Sequence, residues 1–322
     1  MSIGVSRASF VVCATALLFA SAASGASILT PFNVIVSGNF SDENADVEGG
    51  LAVGGIATLT SFGIATTMLG ETMDAFTKGA TLDVGTSMTV VNSAALAYGN
   101  YYIGGTIPGT FYDNGGGTKL TSDPITSWTG TGSTFAAFQT QSNTYNGDAV
   151  KGANLTVNGN TTTINVTGTG MNVIDVPITD LESGHSVYIT NATYSNYVII
   201  DVTGLSAGQT YTWASNISID GQTNNDPGAE DVLFNFYTTG AFNLTLEGSD
   251  AGSILAPNAK VTGGGGTFNG SLVAASFGYG SSGGTEFHNF IFTSGTPEPA
   301  PIACVGLGLI ALACVRRRRR RA

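Results

Sequence analysis

A short β-branched run recurs every 17 to 18 residues near both ends of this chain, each time beside glycine. Val34-Ile35-Val36 leads into Gly38 and Leu51-Ala52-Val53 into Gly54-Gly55, and the two runs lie 17 residues apart. Further on, Ile254-Leu255 and Leu272-Val273 are 18 apart, with Gly263 to Gly266 between them. A strand that returns at this interval suits one coil of a β-solenoid: inward Val, Ile and Leu stack on the next coil, and Gly and Asn take the left-handed corners. The expected fold is all-β, a β-solenoid (parallel β-helix-like) body. From Asn154 to Thr245 the alternation looks more like antiparallel strands, so a β-sandwich is the alternative for the middle. One short packed helix is expected, capped by Ser133 or Thr134, with Phe135, Ala136, Phe138 and Gln139 following at helical spacing to about Tyr145.

Composition supports a folded body and narrows its partners. Hydrophobic residues at 42% supply a core. Between Ser27 and Thr296 there are 21 acidic residues against four Lys and no Arg. Such a body repels phosphate backbones, which excludes nucleic acid as a partner. All three cysteines, Cys13, Cys304 and Cys314, lie outside that stretch, so the body has no disulfide and no thiolate site.

The two ends read as addresses. Arg7, the small apolar run Ala8 to Ala20 and the small residues Ser21 to Ala26 make a signal peptide, with cleavage expected between Ala26 and Ser27. At the far end Pro297-Glu298-Pro299 is a stiff break. An apolar segment from Pro301 to Val315, expected to be helical, follows it, and then the basic block Arg316, Arg317, Arg318, Arg319, Arg320 and Arg321. As a helix that apolar segment rises about 22 Å, short of a ~30 Å hydrocarbon core. The basic block should stay cytoplasmic and leave the body outside. This order of motif, apolar segment and Arg cluster resembles the PEP-CTERM sorting signal of Gram-negative bacteria that make extracellular polysaccharide. The resemblance implies an exosortase-type sorting enzyme as partner, transient anchoring in the inner membrane and delivery to the outer surface or extracellular matrix. The expected organisation is 1–26 signal peptide, 27–296 β domain and 297–322 sorting segment.

The body carries a second resemblance. Phe32-Asn33-Val34-Ile35-Val36-Ser37-Gly38-Asn39-Phe40 and Asp46-Val47-Glu48-Gly49-Gly50-Leu51-Ala52-Val53-Gly54-Gly55 are similar to the opening of the choice-of-anchor A domain. Gly252-Ser253-Ile254-Leu255-Ala256-Pro257-Asn258-Ala259, Gly270-Ser271-Leu272-Val273-Ala274 and Glu286-Phe287-His288-Asn289-Phe290 match its close. That family is regarded as adhesive and has no established catalytic residues, so the resemblance implies a non-enzymatic protein.

The inventory of reactive groups is thin. His185 and His288 stand outside any zinc-ligand spacing, and His288 reads as a hydrogen-bonded strand residue. Gly280-Ser281-Ser282-Gly283-Gly284 fits a nucleophile-elbow formula. That formula needs a helix after it, and Thr285 to Phe292 reads as a strand. Two acidic groups offer hard oxygen ligands for Ca²⁺: Asp42, Asp46 and Glu48, and Asp226, Glu230 and Asp231. Neither has EF-hand spacing, and solvated turns are the simpler account of both. The expected function is an exported adhesin that binds polysaccharide or a protein partner; the alternative is a secreted carboxylate-dependent hydrolase acting on exopolysaccharide. Ice binding would need a flat Thr ladder, for which Thr161-Thr162-Thr163 alone is too little.

Overall fold

The computed structural model describes residues 32–68, 80–125, 133–213, 216–220 and 227–292. Its strands stack into walls around a main core, every pair but one of them parallel. The longest wall runs, in spatial order, through Asn100–Ile103, Ala80–Val84, Gly50–Val53, Phe32–Val36, the first part of Leu272–Tyr279, the first part of Ser253–Gly263, Val232–Asn235, Val198–Thr203 and Asn172–Pro177. Val34 is the register partner of Leu51, and Ile254 of Leu272, so both sequence spacings are single coils. The inward row Leu82, Leu51, Val34, Leu272, Ile254, Phe234 and Ile200 is fully buried. Each such side chain contributes about 1.5–3 kcal/mol by leaving water.

The spatial order differs from the chain order. Phe32–Val36 lies in the middle of the wall, and from it the chain builds outward to Asn100–Ile103. It starts again at the opposite end with Asn172–Pro177 and returns to Leu272–Tyr279, beside its own first strand. Side chains stitch this seam. Asn33 Nδ2 donates to the carbonyls of Gly270 (2.7 Å) and His288 (3.2 Å), and the Asn289 N–H donates to Glu48 Oε2 (3.0 Å).

Helix α1 (Thr134–Asn146) covers the outer face of this wall. Of the two cap residues expected, Ser133 is the one that caps it, its Oγ accepting from the Ala136 N–H at 3.0 Å. Phe135 and Phe138 join Ile35, Leu233, Leu255 and Val273 in a second apolar layer. The wall is therefore buried on both faces, which explains strands such as FNVIV and VLFN with no polar face. A buried polar link fastens the helix: Ser142 Oγ donates to Asn235 Oδ1 (2.6 Å), whose Nδ2 donates to Asp201 Oδ1 (2.7 Å).

The β-sandwich alternative for the middle is not what forms. Between its named strands only Ala153–Asn158 and Thr161–Val166 pair antiparallel; Thr161–Val166, Ser186–Thr190 and Asn216–Ile219 run parallel in a four-stranded sheet. The alternation there reports burial on one side only, which a solvent-facing solenoid wall has regardless of strand direction. The apolar C-terminal segment lies outside the described residues. Among those residues, no helix is long and apolar enough to cross a membrane.

Candidate functional site

The second wall carries a regular register row on its outer side. Its strands are Thr210–Thr212, Phe242–Thr245, the latter parts of Ser253–Gly263 and Leu272–Tyr279, Phe40–Glu43, and the first parts of Ala57–Ile64 and Met88–Leu96. Tyr211, Leu244, Val261, Phe277, Phe40, Ala57 and Met88 point into the core. Alternation along each strand sends the next residue outward. The outward register row is Thr212, Thr245, Thr262, Gly278, Ser41, Thr58 and Thr89, each paired with the next. Neighbouring strands lie about 4.7–4.9 Å apart, so the row spans about 29 Å. It presents a hydroxyl on every strand but the one at Gly278.

The flanking rows are polar except for the exposed Val91. Thr210, Asn243, Lys260 and Ser276 lie on one side, Val91, Thr60 and Glu43 on the other. Asn243 Nδ2 donates to Thr210 Oγ1 at 3.2 Å. At the corner beside this wall two shallow grooves open. One is lined by Thr245, Glu247, Thr262, Gly264, Gly280 and Ser282, the other by Asn44, Asp46, Ser61, Gly63, Gly284 and Glu286. The Gly280–Gly284 loop leads into the strand Thr285–His288, as expected, so no helix N-terminus stands behind Ser281 or Ser282.

The carboxylates singled out in the sequence do different jobs. Asp42 points into the interior and is fully buried. Its Oδ1 accepts from the N–H of Glu43 (2.9 Å) and of Thr285 (3.2 Å). Burial pushes this carboxyl up to about 7, against the pull of those two N–H donors. Asp46 Oδ2 accepts from the Thr66 hydroxyl at 2.7 Å, and Glu48 holds the seam at Asn289. Glu230 and the buried Asp231 sit in the turn Pro227–Asp231, where burial raises the Glu230 carboxyl; Asp226 lies outside the described residues. Among the described residues, no group of three or more His, Cys, Asp or Glu side chains converges to hold a metal ion. Ala26, Ser27, Pro297, Glu298, Pro299 and Arg316 to Arg321 likewise lie outside the described residues.

His288 has the structural place expected of it, Nδ1 lying 2.6 Å from Asn269 Oδ1 in the strand Thr285–His288. Three further acids, in no motif, also have raised carboxyls. Asp83 is buried beside Asp123, and burial together with that second carboxyl raises it to about 8. Asp250 is buried and held well above the ordinary range by burial. Asp201 is raised to about 6 by burial, partly offset by Asn235. An acid inside an apolar run, as in Thr81-Leu82-Asp83-Val84, was the available signal.

Among the described residues the parallel solenoid carries a helix along one wall and a register row of hydroxyls on another. The chain belongs to the family described as "Putative Ice-binding-like adhesive domain", whose pattern matches residues 25–289. Two solved structures are similar to it. One is an ice binding protein from an Antarctic Biological Consortium, 11% identical, TM-score 0.34, covering 82% of this chain and 87% of that one. The other is an ice binding protein from an Antarctic bacterium, Flavobacteriaceae, 9% identical, TM-score 0.26, covering 81% of this chain and 79% of that one. No curated protein matches the sequence.

Proposed function

We propose that this chain is an exported, non-catalytic adhesin whose hydroxyl ladder docks on a polysaccharide. The observation that carries the reading is the register row from Thr212 to Thr89, aligned strand by strand on one wall. Thr offers a methyl and a hydroxyl at each rung, which matches the mixed apolar and polar faces of sugar rings. The flanking Asn243 and Lys260 add donors for sugar hydroxyls. A repeating partner meets a repeating face, so weak contacts add along its length.

Ice is the second reading. The regularity of the ladder and the family's description favour it, while the charges of Lys260 and Glu43 in the flanking rows favour the sugar. Replacing Thr58 and Thr262 together by Tyr blocks the row at two points while leaving the inward residues untouched. The double variant should lose at least tenfold in affinity for host exopolysaccharide, measured by affinity electrophoresis. Full binding by the folded variant would refute the ladder as the contact face. Thermal hysteresis of the wild type, abolished in the same variant, would select ice.

Sorting belongs to the same proposal. Signal-peptide cleavage after Ala26, recognition of Pro297-Glu298-Pro299 by an exosortase-type enzyme and a cytoplasmic Arg316–Arg321 block would bring the body to the cell surface. Deleting residues 297–322 should release a folded protein into the medium; retention at the envelope would refute the anchoring role.

A further inference from the structure

We infer that the outer face of the four-stranded sheet is a second docking surface, for an uncharged polysaccharide, and that the molecule is bivalent. This sheet, Ala153–Asn158, Thr161–Val166, Ser186–Thr190 and Asn216–Ile219, stands apart from the threonine ladder. Its central register row pairs Thr156, Thr163, Tyr188 and Ser218; the first three reach solvent, while Ser218 is buried. The outward positions in the rows on either side of it are all Asn, Ser or Thr. Tyr188, 45% exposed, is the only aromatic ring among them.

Three features give this surface its ligand class. A solvent-facing phenol ring within a field of hydroxyls and amides can take the C–H face of a sugar ring while its neighbours bond the sugar's hydroxyls. The amide of Asn165 is already oriented: its Oδ1 accepts from the Thr190 hydroxyl (3.2 Å) and from Asn191 Nδ2 (2.7 Å), which leaves the Asn165 Nδ2 hydrogens as donors. The paired outward positions hold no Lys, Arg, Asp or Glu. With 21 acids against four Lys between Ser27 and Thr296, an anionic polymer is repelled; the nearby carboxylate at the sheet edge, Asp220, already accepts from the Asn191 N–H, so the uncharged paired positions suit a neutral chain. Two such faces on one body can hold two chains at once and cross-link them, so binding and cross-linking are separable properties.

The test uses hydroxyethyl cellulose and dextran as neutral probes and alginate as the anionic one. Affinity electrophoresis reads binding, and solution viscosity reads cross-linking. Y188A should weaken binding to at least one neutral polymer about fivefold and abolish the viscosity increase that the wild type produces, whereas Y188F should retain both. The ladder variant T58Y/T262Y should also abolish the viscosity increase while keeping the Tyr188-dependent binding. If only Y188A affects binding, the second surface stands, while the ladder proposal and with it the bivalency fall. Wild-type binding and viscosity in Y188A, equal losses on alginate, or no binding of any neutral polymer would overturn the inference.

Discussion

Gly278 is the one rung of the ladder without a side chain, and it allows a gain-of-function test. It lies between Thr262 and Ser41 in register, its φ is not in the left-handed region, and a Cβ placed there meets nothing within 4 Å. Gly278→Thr should therefore be accommodated without displacing a neighbour. Replacing a strand glycine removes a conformational-entropy cost of about 0.5–1 kcal/mol, and a β-branched residue suits the pleat. For a domain of this size about 1 kcal/mol corresponds to a rise of about 2–4 °C in Tm. The new hydroxyl would join the two halves of the ladder into one row of seven. One added hydrogen bond to a ligand is worth about 0.5–1.5 kcal/mol, or a roughly twofold to tenfold gain in affinity. Differential scanning calorimetry measures the first quantity and affinity electrophoresis on exopolysaccharide the second. Gly278→Ala serves as the control that should raise Tm without the affinity gain. A folded G278T protein with lower Tm, or with unchanged or weaker binding, would show that this wall is not a continuous open contact face.

The buried acids predict an inverted pH response. Asp42 rises from an ordinary carboxylate value of 3.8 to about 7, so the folded state holds a proton that the unfolded state releases. The stability this contributes is complete below pH 4 and is lost as pH climbs through 7, amounting to about 4 kcal/mol at 1.36 kcal/mol per pH unit. Urea unfolding from pH 4 to 8.5 should show that loss, and Asp42→Asn, whose Oδ1 can still accept the Glu43 and Thr285 N–H groups, should flatten it; identical slopes would refute the assignment. Asp83, raised to about 8 beside Asp123, acts in the same direction at a higher pH, and Asp83→Asn should raise the unfolding midpoint at pH 9 relative to wild type. Ser133→Ala, which removes the cap of helix α1, should cost about 1 kcal/mol in the same assay, whereas an unchanged midpoint would remove the cap from the account.

The coil was legible in the sequence because its cause is local in character. A strand, a corner and a return use a fixed length of chain, so Val34 to Leu51 and Ile254 to Leu272 announce their own stacking at 17 and 18 residues. The Ser133 cap and the structural role of His288 could be read for the same reason. The ladder could not. Thr161-Thr162-Thr163 is a run along one strand, and alternation buries its middle member, whose hydroxyl bonds the Asp180 carbonyl at 2.7 Å. The rungs that do align come from residues as far apart as Ser41 and Gly278, neighbours only because the late strand Leu272–Tyr279 returns beside Phe32–Val36 and Phe40–Glu43. Period-two alternation says which side chains face out. Which of them stand next to one another depends on how insertions and the seam set the height of each coil, and only the folded stack decides that.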